Sequence, residues 1–406
     1  MALDVSNKKA LIIEDMAEAR ILQKKMLSDF GFNHIEVAMK AETAIGLLKS
    51  RTYDVVLSDY NLGNGKDGQQ LLEEVRHSQL IPNTSTYLMV TAETSIEMVM
   101  GAIEYQPDGY ITKPFSHALL QRRLLKLLET KAKLWDANQA LDDKDYEKAI
   151  TESDLVIEKY SFLESKCNRI KGDCYLELKQ FDPAIKLFSH SLKDRKMPWA
   201  LFGLAKAYLY QKKYEEAESK FRQLMLDNRF FVNAYDWLAK CLIEQNKNEE
   251  AHTILLEAIE KSPKAILRQI ALGNLSMKMG KYETAEMAFR RASFLGKHSV
   301  HNNSNIHINH LKAFLGLAET SNLQPKQLEN FHASIVKAQK QFTRDPETKA
   351  QVYQVEVELY LALNDLPKAK NSFSSWTKDI SLGTAVSPSR EFESACAPLL
   401  GIQINE

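Results

Sequence analysis

The 406-residue sequence predicts two structural classes in series: an α/β domain on a five-stranded parallel sheet, then an all-α array of stacked helix pairs. Three observations predict it. Short apolar runs alternate with helix-period segments up to about residue 128. The strand signal then stops. From there an alanine-centred phrase recurs at a spacing near 34 residues.

The apolar runs fall at 9–13, 35–38, 53–57, 87–90 and 110–112, most of them rich in β-branched or aromatic residues. Helix-period segments follow them at 17–30, 41–50, 68–77, 96–104 and 116–128. Five strands alternating with five helices imply a parallel sheet covered on both faces. Right-handed crossovers leave few topologies. The runs 55–57 and 87–90 are apolar on successive residues, as strands buried on both faces must be.

Beyond residue 130 the recurring phrase is an aromatic, two residues, an alanine, and a bulky residue four further on. It appears around Ala149, Ala184, Ala217, Ala251 and Ala285, at intervals of 35, 33, 34 and 34, with Asn248 in place of the aromatic in the fourth copy and a later copy, Leu366 to Ala369, that opens on leucine. Twelve residues before the first five of these alanines sit Ala137, Gly172, Ala205, Ala239 and Gly273. Small residues at both sites let two antiparallel helices approach closely while the aromatic fills the groove between repeats. Each pair leaves an apolar face that its neighbour must cover. This pattern resembles the tetratricopeptide repeat (TPR) family, well over 131–297 and less well over 305–380, where Asn302 to Asn305 and Asn322 to Pro325 interrupt the register. The resemblance implies a superhelical solenoid that binds peptides or protein surfaces.

Composition excludes several classes. Lys plus Arg equals Asp plus Glu at 53 each, so the basic footprint of a nucleic-acid-coating protein is missing. No apolar run approaches a membrane span, and the polar start is not a signal peptide. Cys167, Cys174, Cys241 and Cys396 show no C-x-x-C or zinc spacing and read as reduced, helical hydrophobes. A cytoplasmic location is the expectation. His298, His301, His307 and His310 read as a polar loop between repeats, with a metal site as the alternative. Trp135, Trp199, Trp237, Phe230 and Phe231 read as core or inter-repeat packing. No phosphate loop, dinucleotide fingerprint or nucleophile elbow is found.

The chemistry lies at the strand ends, where doubly wound sheets bind ligands. The first strand runs into Glu14 and Asp15, the third into Asp59, the fourth into Thr91 and Ala92, the fifth into Lys113 and Pro114. Three carboxylates in one pocket require a raised pKa or a cation. Oxygen ligands without His or Cys favour Mg2+ over zinc. Asp15 and Asp59 would bind the ion directly, Glu14 through water, and the Asn61 carbonyl could add a ligand. Asp59 can then act as a nucleophile on a phosphoryl donor. Lys113 would neutralise the transferring group, and the Thr91 hydroxyl would meet a phosphoryl oxygen.

In order and spacing, Glu14-Asp15, Asp59, Thr91 and Lys113-Pro114-Phe115 resemble the receiver domain of two-component response regulators, over about 7–128. The resemblance implies a flavodoxin-like, CheY-like fold of strand order 2-1-3-4-5. It implies Asp59 as phosphoacceptor, Thr91 with Tyr110 as the switch pair, and Asn61 and Glu93 at positions that tune dephosphorylation. The loop from Tyr60 to Gly68 departs from the family, lacking its usual proline and running one residue longer.

The expected domains are therefore a receiver at 1–128, six to seven TPR-like helix pairs over 129–380, and a capping or partly disordered tail at 381–406. The expected function is phosphorylation-dependent signalling, with no enzyme activity beyond the receiver's own phosphotransfer and dephosphorylation. A sensor histidine kinase or phosphotransfer protein would supply phosphate, and an unknown protein or peptide would bind the repeats. Neither membrane nor nucleic acid is expected as a partner; a receiver homodimer is an open expectation. The competing readings are a transcriptional or RNA-level regulator, and a constitutive scaffold with a phosphate-independent receiver. The stretch from Lys126 to Asp142, free of Gly and Pro, reads as one helix joining receiver to repeats.

Overall fold

The computed structural model describes residues 4–92, 105–193, 195–321 and 323–401. The expected helix at 96–104 and Glu93 lie outside the described residues. Two compact units divide the chain, residues 1–264 with 298–300, and 265–297 with 301–406.

In the first unit, strands β1 (Lys9–Ile13), β2 (His34–Ala38), β3 (Val55–Asp59), β4 (Thr86–Thr91) and β5 (Gly109–Thr112) form one sheet of order β2-β1-β3-β4-β5. Every pairing is parallel. The alternation of the pleat divides each strand between two cores. Leu11, Ile13, Val56, Tyr87 and Met89 pack with residues of α2 (Ala41–Ser50) and α3 (Gly68–His77). Ala10, Ile12, Val55, Leu57, Leu88 and Val90 pack with α1 (Ala17–Phe30) and α4 (His117–Lys133). β3 and β4 are buried at every residue, which accounts for their unbroken apolar runs. β3 begins two residues later than the sequence suggests and carries Asp59 as its last residue.

The helix expected through Lys126 to Asp142 is interrupted. α4 stops at Lys133, and α5 (Trp135–Asp142) starts after Leu134. Leu134, with φ of −97° and ψ of 12°, is buried with Leu163 and Cys167 in the core of the first repeats, and no Gly or Pro marks the interruption.

Four helix pairs complete this unit: α5 with α6 (Tyr146–Lys159), α7 (Glu164–Glu177) with α8 (Phe181–Ser191), α9 (Pro198–Tyr210) with α10 (Tyr214–Asp227), and α11 (Asn233–Glu244) with α12 (Asn248–Lys261). The alanines of the repeating phrase are fully buried. Phe188 is gripped from two sides: a Cβ on Gly172 would lie 2.3 Å from its ring, and one on Gly203 2.4 Å. Gly172 belongs to the same repeat and Gly203 to the next, so one ring joins three helices. Burying it contributes roughly 2–3 kcal/mol. Trp199 and Phe231 pack against neighbouring aromatics as expected, but Trp135 is 47% exposed. All four cysteines are free and buried.

Every intra-repeat turn is built alike. Lys144, Lys179, Lys212 and Asn246, each five residues before the alanine of its repeat, have φ between 57° and 60°. The next residue's N–H reaches back to the carbonyl five residues earlier, as in Gln180 to Tyr175 at 2.8 Å. This is a Schellman closure, which satisfies orphan helix carbonyls and requires the left-handed conformation.

The second unit holds α13 (Ile266–Lys278), α14 (Tyr282–Leu295), α15 (Ser304–Thr320), α16 (Pro325–Gln341), α17 (Pro346–Ala362) and α18 (Leu366–Ser381). Gly280 and Asn364 occupy its left-handed turns. The supposed interruptions are helix starts: Asn303 caps α15 by accepting from the Ile306 N–H, and Pro325 opens α16. The tail folds into α19 (Arg390–Leu400), whose Phe392, Cys396 and Leu400 cover Trp376. His310 pairs with Glu286 at 3.0 Å, and His307 is buried beside Ser293 and Asn302. Burial, then the charges of Lys337 and His310, lowers the His307 pKa to about 4.

Two outcomes follow from packing. Gly203→Ala should lower stability by about 2 kcal/mol in urea unfolding, because Phe188 cannot yield. Gly46→Ala in α2, where a Cβ meets nothing within 4 Å, should raise it by about 0.5–1 kcal/mol. The third concerns pH. His307 stays neutral in the folded unit while the unfolded chain protonates near pH 6.5. Stability should therefore fall from about pH 6.5 toward pH 4, and His307→Gln should flatten that slope in melting curves recorded across the window.

Candidate functional site: an acidic pocket at the carboxyl edge of the sheet

The register of the sheet brings four strand ends together. Ser58 lies beside Ile13, Val90 beside Asp59, and Thr112 beside Thr91. Glu14 and Lys113 each follow directly on a strand, so their backbones are fixed by sheet hydrogen bonds, Glu14 N–H to Ala38 O at 3.0 Å and Lys113 N–H to Thr91 O at 2.6 Å, and Asp15 comes next in the chain after Glu14.

Lys113 Nζ donates to Asp59 Oδ2 and to Glu14 Oε2, each at 2.7 Å. One ligand oxygen from each of Glu14, Asp15 and Asp59 lies within 4.8 Å of the others. Glu14 is fully buried and Asp59 nearly so, while Asp15 is exposed. Burial raises the Glu14 carboxyl above its ordinary value; the Lys113 hydrogen bond opposes this, and the Asp59 charge adds to it. Burial works against the Lys113 ammonium too, but its bonds to Asp59 and Glu14 prevail and raise its pKa. The donor set is all oxygen and anionic, which suits a hard dication.

Thr91 is buried at the end of β4, and Ala92 beside it is exposed. Tyr110 stands on β5 opposite Met89, half-buried against the α2–α3 core. The Asn61 N–H lies 3.4 Å from Asp59 Oδ1. The sequence-predicted acids and lysine thus meet in one pocket, with Thr91 at its strand end and Tyr110 two residues from the Thr112 that pairs with it.

Supporting residues were missed by sequence reasoning. Gln23, buried on α1, donates to Glu14 Oε2 at 2.9 Å; its signal was an amide on the face of α1 that also buries Met26 and Leu27. Arg20 donates to the carbonyls of Glu14 and Asp15. The loop after Asp59 closes on glycine: a Cβ on Gly68 would sit 2.1 Å from the Asp59 carbonyl oxygen, and Gly63 and Gly65 have φ of 67° and 118°. Asp67 and Gln70 then form a capping box at the start of α3.

A parallel sheet of order 2-1-3-4-5, with clustered acids and one lysine at its carboxyl edge, defines a receiver. The chain belongs to the response regulator receiver domain family, whose model matches residues 10–125. A tetratricopeptide repeat model matches residues 202–266. Chemotaxis protein CheY-3 of Vibrio cholerae is 36% identical over 123 residues, covering 30% of this chain and 93% of that protein. Chemotaxis protein CheY of Pseudomonas aeruginosa is 32% identical over 121 residues, 30% of this chain and 96% of its own. A CheY-like receiver structure from Methanospirillum hungatei is 24% identical over 31% of this chain and 97% of that one, with a TM-score of 0.29. The N-terminal domain is thus that of a two-component response regulator, joined to TPR-like repeats. No described helix is long and apolar enough to cross a membrane.

Asp15→Asn should relieve one repulsion in this pocket. In EDTA the receiver's calorimetric transition should shift up, by about 1 kcal/mol of stability, and added magnesium should no longer raise it. A magnesium response equal to the parent's would count against Asp15 as a ligand.

Proposed function

We propose that this protein is a phosphorylation-dependent adaptor. Asp59 takes a phosphoryl group from a histidine kinase or phosphotransfer protein, and the state of the receiver sets whether the repeats can engage a protein or peptide. The observation that carries the reading is the Lys113 bridge, which holds Asp59 and Glu14 at 2.7 Å each beside Asp15.

A carboxylate oxygen of Asp59 attacks phosphorus as the bond from phosphorus to the donor's imidazole nitrogen breaks, its electron pair remaining on that nitrogen. Lys113 compensates charge on the transferred group, and Asp59 stays within its reach throughout. Asp15 and Asp59, with the Asn61 carbonyl and with Glu14 through water, would hold magnesium. When bound, that ion supplies charge neutralisation to the phosphoryl oxygens. The Thr91 hydroxyl turns to a phosphoryl oxygen, Ala92 leaves room for it, and Tyr110 moves into the space Thr91 vacates. Phosphate can bias the two receiver states only through such contacts made in one of them. The receiver acts on no substrate beyond its own phosphoryl group. Net charge of zero favours protein over nucleic acid as the partner of the repeats, and the cytoplasm as their location is part of the same reading.

Acetyl phosphate with magnesium should produce a hydroxylamine-labile acyl-phosphate on Asp59, detected by intact mass and peptide mapping. Asp59→Asn should abolish it, and Lys113→Met should slow its formation by about 100-fold. A parent chain that never acquires the adduct would leave only a constitutive scaffold.

A further inference from the structure

Within the first unit the receiver and the repeats share a cleft. Its walls include Arg169, Trp199, Phe202, Lys206 and Phe230 from the repeats, and its rim includes Gln106 from the receiver. Arg169 Nη2 donates to Gln106 Oε1 at 2.6 Å, and Arg76 Nη2 holds the Gln106 carbonyl at 2.9 Å. Gln106 has φ of 52°. A residue with a side chain takes that conformation at a cost, and it persists where surrounding contacts fix it. Here the contacts come from both domains.

The same short loop leads to the switch strand. The Asp108 N–H donates to Tyr87 O at 2.9 Å and Asp108 Oδ2 accepts from the Tyr87 N–H at 2.8 Å, which pins the loop to the start of β4. β5 follows at once, with Tyr110 opposite Met89 and Thr112 opposite Thr91. Tyr105, next to Gln106, donates to Glu73 Oε1 at 2.6 Å, and Ser299 donates to the other oxygen of that carboxylate at 3.0 Å. A further grip falls on the phosphoacceptor loop: Lys264 Nζ lies 3.8 Å from Asp67 Oδ2 and 5.6 Å above the ring of Tyr60, the residue after Asp59. Repeat side chains therefore hold two receiver loops: the one that feeds β5 at the amino edge of the sheet, and the one after Asp59 that adjoins the pocket.

We propose that the Gln106–Arg169 contact is a cis latch: in the unphosphorylated chain the receiver's loop occupies the rim of the cleft and keeps its aromatic walls, with Arg169, Asp173 and Lys206 among them, from an outside partner, and phosphorylation of Asp59 releases it. The latch rests on the phosphoacceptor reading above and adds the place where the receiver acts on the repeats. Gln106 is exposed and takes no part in the acidic pocket, so its amide can be removed without touching the chemistry of Asp59.

The test uses the full chain carrying Phe230→Cys in the cleft. The four native cysteines are buried, and the parent chain lacking the new thiol measures their background. A bulky maleimide should label Phe230→Cys slowly in magnesium alone. Adding beryllofluoride, or combining the reporter with Gln106→Ala, should speed labelling about tenfold, as a shift of about 1.4 kcal/mol would. Equal rates with and without Gln106→Ala, or a rate indifferent to beryllofluoride, overturn the latch. If acetyl phosphate still modifies Asp59 in that chain, the phosphoacceptor reading survives alone; if it does not, both fall.

Discussion

The receiver depends on one ammonium. Two buried or nearly buried carboxylates and a third, exposed one share an edge of the sheet, where reduced permittivity magnifies their repulsion. Lys113 makes the arrangement tolerable by binding Glu14 and Asp59 at once. It can do so because the Lys113 N–H continues the β4–β5 ladder onto the Thr91 carbonyl, so backbone pairing fixes the origin of the side chain. Gln23 and the Met16 N–H complete the shell of Glu14. The balance lets the pocket remain strongly anionic without unravelling the strand ends that form it.

Much of this was legible in the sequence because short periods report local structure faithfully. Helices α1, α2 and α3 begin and end where their apolar spacing begins and ends. The acids and lysine were legible because each falls at the end of an apolar run. β3 was displaced because its last two residues, Ser58 and Asp59, are polar yet still paired. α4 keeps one face buried through Leu120, Leu124 and Leu128, but stops at Lys133, short of the continuous helix expected through Asp142. The break at Leu134 had no local mark in the sequence, and the residue there is buried among the first repeats. Contacts such as Arg169 to Gln106, 63 residues apart, leave no trace in periodicity at all.

The repeats show the same division between local rule and long-range constraint. Their turns accept Lys, Asn or Gly at one left-handed position, since the Schellman bonds offset the strain that a side chain brings. A lysine-rich turn looks merely solvated in the sequence, whereas its backbone conformation is what lets each helix pair reverse direction.

Phe188 carries a consequence for how such an array is cut and joined. Its ring belongs to one period of the sequence, yet one of the two glycine surfaces that accept it lies in the next. The energetic module is therefore offset from the written one by half a unit. A fragment ending at the loop before Pro198 would uncover the side of that ring that Gly203 accepts, whereas a boundary placed within a turn such as that at Lys212 keeps the ring and both its sockets on one piece. Evolutionary recombination and deliberate grafting face the same grain in this molecule.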